Sequence, residues 1–170
     1  MQSLKDIFQA LFSLHPKQLF QLVRLGIQHP LLCILTWYAT FIAYRKASKI
    51  YPKKHSKNGK ENAFRHALWT SMIANFCTKV TSPQKAMDFS KKATDLHEDL
   101  FPNTPLQRAM DLHNNQIGLM VFQRILKGVH RQFIEKQFLI DELQKMLPNA
   151  QLVRSLDEIK GDEMIYIEKS

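Results

Sequence analysis

At 170 residues, 45% apolar and 23% charged, the chain has the size and make-up of one globular domain. Its two cysteines, without CxxC spacing, exclude a disulfide scaffold, and no low-complexity tract suggests disorder. The net charge of +9 belongs entirely to the N-terminal third: residues 1–60 carry ten Lys and Arg against one acid, Asp6, and the rest is balanced. Such asymmetry predicts contact with a polyanion, either nucleic acid or an anionic membrane surface.

Apolar residues at Leu4, Ile7, Phe8, Leu11 and Phe12 have helical spacing, broken at His15-Pro16, and a second helix follows through Leu19, Phe20, Val23 and Ile27. The start carries Asp6 among its apolar residues and no small-residue cleavage site, so it does not read as a secretory signal. Pro30 opens a third helix to about Ile50, whose most apolar run, Leu31–Ala43, is shorter than the ~20 residues that span a bilayer. These helices, residues 1–50, are expected to cover the core or to lie on a membrane surface, and their faces could also build a homodimer. The polar, basic stretch 51–61 reads as a linker. Residues 62–147 form the motif-bearing core. A helix covers Asn62–Thr78, and another begins at Ser82-Pro83 and runs to about Leu100. A third begins at the capping box Thr104-Pro105-Leu106-Gln107 and ends near Gly128. A last helix is expected over Val129–Met146. The tail, 148–170, holds a possible strand at Met164–Ile167 and is expected to be partly loose. The fold class is all-α, a single-domain bundle of about six helices. Cys33 and Cys77 read as buried reduced thiols, which favours a reducing, cytoplasmic setting, with the chain at the inner face of the membrane if it binds lipid.

Three segments carry polar residues that a helix core does not call for. Arg65 and His66 lie in the first, His97 and Glu98 end the second, and Asp111, Asn114 and Asn115 sit in the third. Spacings of three and four put Asp111, Asn114 and Asn115 on one helix face. His97 and Glu98 diverge by about 100°, so one of them reaches a given centre. Gly118, one turn beyond Asn114, permits close approach of another backbone. Imidazole and carboxylate from separate helices suit a divalent metal ion, with His66, Glu98, Asp111 and His97 as its candidate ligands. The same groups also suit direct acid–base work by His66 and Glu98, with Asp111 orienting an imidazole. Arg65, Asn114 and Asn115 are candidates for binding substrate, Arg65 through bidentate contact with phosphate or carboxylate. Phe101 stands where an HExxH motif requires its second His, which removes a zinc-protease reading.

The order Asn62-Ala-Phe-Arg-His-Ala-x-Trp69, His97-Glu98, Met110-Asp-Leu-x-Asn-Asn-x-x-Gly118 resembles an uncharacterised bacterial domain found alone and at the C-termini of Rhs-type polymorphic toxins. The likeness spans about residues 58–125, with Asn62 where the family usually has Asp. It implies a helical domain with a shared polar site and a toxin-like context. The leading expectation is a metal-assisted hydrolase of a phosphoester or other ester of an anionic substrate, with a lipid favoured if the N-terminal third meets a membrane. His66, Glu98 and Asp111 would be its catalytic residues. A nuclease would use the same centre; glycan cleavage by Glu98 and Asp111 fits less well. The non-enzymatic alternative is a membrane or protein interaction module with a buried polar network.

Overall fold

The computed structural model describes residues 16–52, 58–101 and 103–168. The helix expected over Leu4–Phe12 and residues 53–57 of the linker lie outside them, and the linker's last two residues, Lys60 and Glu61, belong to a helix. Six α-helices follow in order: α1 Pro16–Gln28, α2 Pro30–Ile50, α3 Lys60–Cys77, α4 Pro83–Leu100, α5 Pro105–Gly128 and α6 Lys136–Met146. The expected starts are built by local chemistry. The Ser82 hydroxyl accepts from Lys85 N, and at α5 the Thr104 hydroxyl accepts from Gln107 N while Thr104 N donates back to Gln107 Oε1.

Helix α3 is the hub. Thirteen of its eighteen residues are buried, because α2, α4, α5 and α6 all pack around it. Small residues set these approaches. Ala39, Ala43 and Ala47 line the buried side of α2, and Ala63, Ala67 and Ala74 are fully buried on α3. The closest crossing joins α3 to α5: a Cβ on Gly118 would stand 2.2 Å from the Ala67 carbonyl oxygen. That contact brings the polar faces of the two helices together.

The last third departs from expectation. The segment after Val129 is not one helix; a 3-10 turn, Arg131–Phe133, and the buried Ile134 precede α6. The tail, as far as Glu168, is packed on the helices. Strand β2, Ile165–Tyr166, pairs in parallel with β1, Gln151–Leu152, and Met164 and Ile165 are buried. The Asn114 side chain clamps this pair, donating from Nδ2 to Ile165 O at 2.9 Å and accepting from Ile165 N at 3.0 Å. The N-terminal helices share the same core through Leu25 and the α2 alanines, so residues 16–50 are part of one packed unit with the motif-bearing helices.

Candidate functional site

On α3, Asn62, His66 and Thr70 recur at intervals of four and form a buried polar stripe along one face of the helix. On α4, Ser90, Thr94 and Glu98 repeat the pattern, and Ser90 Oγ donates to Thr70 O at 2.8 Å, which ties the two stripes together. Asp111 and Asn115 on α5 complete the set. His66 lies between the two acids: Nδ1 is 3.8 Å from Glu98 Oε1 and Nε2 is 3.3 Å from Asp111 Oδ1. One ligand atom each from His66, Glu98 and Asp111 falls within 4.8 Å of the others, and all three residues are buried.

The surroundings orient each member. Asp111 accepts from Asn62 Nδ2 on Oδ1 at 3.4 Å and from Asn103 Nδ2 on Oδ2 at 3.3 Å. Thr70 Oγ1 donates to Asn115 Oδ1 at 2.9 Å, which turns the amide nitrogen of Asn115 the other way. Arg65 Nη2 lies 2.9 Å from His66 Nε2. A guanidinium only donates, so Nε2 accepts and the imidazole proton sits on Nδ1, an assignment from hydrogen-bond chemistry. The Nε2 lone pair then takes the Arg65 N–H, and Asp111 Oδ1, 3.3 Å away, receives no proton from the ring.

Burial sets the charges. It holds the His66 pKa well below that of a free imidazole, with nearby Arg65 adding to the effect. It pushes Glu98 up to about 8 and Asp111 up to about 6; neighbouring Asp111 adds to the shift of Glu98, and Arg65 opposes that of Asp111. Without a metal the centre thus favours a neutral imidazole, and Glu98 holds its proton more tightly than Asp111, which lies beside Arg65.

Several polar atoms remain unsatisfied. Among the described residues six buried side-chain polar atoms lack a hydrogen-bond partner, and four belong here: Asn62 Oδ1, His66 Nδ1, Glu98 Oε1 and Asn115 Nδ2. Leaving one such group unpaired costs about 1–3 kcal/mol, so their concentration marks this as a polar centre, in which Asn62 Oδ1 and Glu98 Oε1 are oxygen acceptors and Asn115 Nδ2 is a donor. The donor set fits a divalent cation. A ligand separation of 3.3 Å is close to the edge of a coordination shell with ~2.1 Å metal–ligand bonds, and amides holding Asp111 are the outer support such ligands need.

A cleft of about 500 Å³ leads to this centre. Thr40, Ala43 and Tyr44 of α2 form one wall, Arg65, His66 and Trp69 of α3 the floor, and His97 and Phe101 the far side. Trp69 is fixed by a 2.8 Å bond from Nε1 to Thr40 Oγ1 and by an edge contact with the His97 ring, which lies against Phe101 in turn.

The profile of a domain of unknown function, DUF6973, matches residues 23–151. The chain belongs to that family. No curated protein and no solved structure matches it. The DUF6973 region is wider than the 58–125 span of the motif likeness and takes in all of α2 and the second half of α1. Every residue singled out in the sequence falls inside it, but the structure divides them. His66, Glu98 and Asp111 converge, Asn115 stands beside them, and Arg65 joins them to the cleft. His97 is not part of the three-residue cluster; its ring stacks in the cleft wall, and burial, then Arg65, lowers its pKa to about 4. Asn114 is a structural clamp and not a substrate contact, since both its polar atoms are bonded to the backbone of Ile165. Within the DUF6973 core, sequence reasoning missed the supports Thr70 and Asn103, and it gave Trp69 and Tyr44 no place in a cleft wall. Thr70 was signalled by its spacing of four from His66; Asn103, in a loop, carried no signal.

Proposed function

We propose that the protein is a divalent-metal-assisted hydrolase acting on a phosphoester of an anionic substrate. The observation that carries this reading is the buried convergence of His66, Glu98 and Asp111 from three helices, with one ligand atom of each within 4.8 Å of the others. A divalent cation held there would lower the pKa of a coordinated water and neutralise phosphoryl charge. Arg65 binds the phosphoryl group from the cleft floor by a forked hydrogen bond, and the same charge draws the anion inward. Asn115 directs its amide toward His66 and Glu98, while Asn62 and Asn103 keep the Asp111 carboxylate in place. Neutral His97, with Trp69 and Phe101, gives the cleft a wall that is mostly apolar and excludes bulk water.

A second reading uses the same residues without metal. A Glu98 that stays protonated to about pH 8 is a general acid at neutral pH, and neutral His66 is its complementary base. A nuclease reading, in the toxin setting that the motif likeness implies, also uses this centre, but the exposed face of α1 and α2 is dominated by large apolar side chains, which track phosphates poorly. The deciding experiment measures hydrolysis of bis-p-nitrophenyl phosphate with Mn²⁺, Zn²⁺ or Mg²⁺ added, with chelator, and in His66→Ala and Asp111→Asn. Metal-dependent turnover lost in both variants is expected. Chelator-resistant turnover lost in Glu98→Gln would favour the acid–base reading, and unchanged turnover in all variants would refute both.

A further inference from the structure

We propose that the outer face of α1 and α2 docks on an anionic lipid bilayer and presents a phospholipid headgroup to the Arg65 cleft. The docking follows from the helices themselves, whereas the choice of lipid as substrate rests on the hydrolase reading.

The two helices meet at a bend of 108°, and neither is long and apolar enough to cross a membrane by itself. Their inner side is committed to the protein through Leu25, Ala39, Ala43 and Ala47. Their outer side carries large apolar residues in the open: Phe20 is 65% exposed, Ile27 76%, Ile34 65% and Trp37 69%, with Leu31 and Phe41 more than half exposed. Single exposed apolar residues are ordinary, but a run of them along one bent pair of helices marks a docking face.

Charge identifies the partner. From Pro16 to Ile50 the chain has no acidic residue, and Arg45, Lys46 and Lys49 gather at the end of α2, where the sequence continues with Lys53, Lys54 and Lys57. Arg45 lies over the Phe41 ring, 5.3 Å from its centre, so cation and apolar surface are side by side. Apolar side chains for the acyl boundary, tryptophan and tyrosine for the headgroup layer, and clustered cations for anionic lipid are the composition of an interfacial helix. A hydrophobic protein partner would explain the apolar stripe but leave the one-signed charge without a role.

The cleft opens next to this face. Tyr44 is exposed on α2 and lines the cleft as well, and Thr40 lies one turn before it. A headgroup leaving the bilayer beside Trp37 and Phe41 therefore meets Tyr44, then Arg65, then His66.

Two variants separate the parts of the proposal: Phe20→Ser/Ile27→Ser/Ile34→Ser, and Arg45→Gln/Lys46→Gln/Lys49→Gln. The probes are vesicles of phosphatidylcholine alone or doped with phosphatidylglycerol. Wild type is expected to sediment with the anionic vesicles, with its Trp fluorescence shifted to the blue and its binding weakened by salt. The apolar variant is expected to bind at least about tenfold less, and the charge variant roughly a hundredfold less. Should the apolar variant fail to fold, the charge variant decides. No binding by wild type, equal binding to both vesicle types, or a wild-type dimer that the apolar variant dissociates would overturn the docking; the last would assign the face to a second copy. Vesicle phosphatidylglycerol and soluble bis-p-nitrophenyl phosphate then test the lipid step. The apolar variant should lose turnover of the first and keep that of the second, and equal loss of both would overturn it. Normal vesicle binding with no turnover of either substrate would defeat the hydrolase reading and the lipid step while docking stood.

Discussion

Replacing Gly118 by Ala sets two physical effects against each other. In a helix interior Ala is favoured over Gly by about 1 kcal/mol, so propensity alone predicts a more stable protein. The crossing of α3 and α5 predicts the reverse. The new Cβ would lie 2.2 Å from the Ala67 carbonyl oxygen, 2.9 Å from its carbon and 3.0 Å from its Cα, all backbone atoms that cannot turn aside. An ordinary contact needs more than 3 Å, so α5 must retreat from α3 by roughly 1 Å. Overpacking of this kind costs about 1–3 kcal/mol, at the upper end here because a rigid helix has to move. Net of propensity, a loss of about 2 kcal/mol is expected, or roughly 4–8 °C in Tm for a chain of this length. The displacement also pulls His66 on α3 away from Asp111 on α5, and a metal site tolerates only ~0.2 Å in its ligand distances. Thermal melts with and without saturating Mn²⁺ provide the assay: the variant should melt lower and gain less from the metal. A Gly118→Ala protein that melts at or above wild type would refute the reasoning, since propensity would then have won.

Two further outcomes follow from the site. Because Glu98 is raised to about 8, the folded state binds a proton that the unfolded chain has released, so stability present at low pH is lost as pH rises toward 8. The lowered His66 and His97 act in the opposite sense below pH 6.5, where the unfolded chain binds protons first, and they offset the acids there. The uncompensated window is therefore pH 6.5 to 8, where urea unfolding should show a decline of up to about 2 kcal/mol without metal. Glu98→Gln should abolish that decline; an identical decline in the variant would assign it to other groups. In the second, Asn114→Ala strands the buried N–H and C=O of Ile165, for an expected loss of about 2–4 kcal/mol by denaturant titration. Metal affinity of the folded variant should stay near that of wild type, and a selective loss of metal binding would return Asn114 to the site.

The parts of this protein legible in its sequence are those set by short-range chemistry. Ser82 and the Thr104–Gln107 capping box announce two helix starts because a cap is satisfied within three residues. His66, Glu98 and Asp111 stood out because ionisable side chains in helices patterned for an apolar core demand a reason. Asn114 and Asn115 looked equivalent, both on the face of Asp111, yet one step of helix sends Asn114 to a strand 51 residues away and Asn115 to the centre. A side chain's partner across such a distance leaves no local trace. The same holds for the tail, whose order depends on that clamp. Periodicity likewise showed that α1 and α2 are apolar but not which side α3 would cover, and so not that Phe20, Ile27, Ile34 and Trp37 would stay exposed.

The central claim is that His66, Glu98 and Asp111 together hold one divalent ion. Calorimetric titration of chelator-treated protein with Mn²⁺ and Zn²⁺ at pH 7 tests it directly, in two buffers of different ionisation enthalpy. One saturable site is expected, releasing about one proton as the ion displaces it from Glu98, with binding abolished in His66→Ala and Asp111→Asn variants that remain folded. Absence of saturable binding, or affinity unchanged in both variants, would contradict the account.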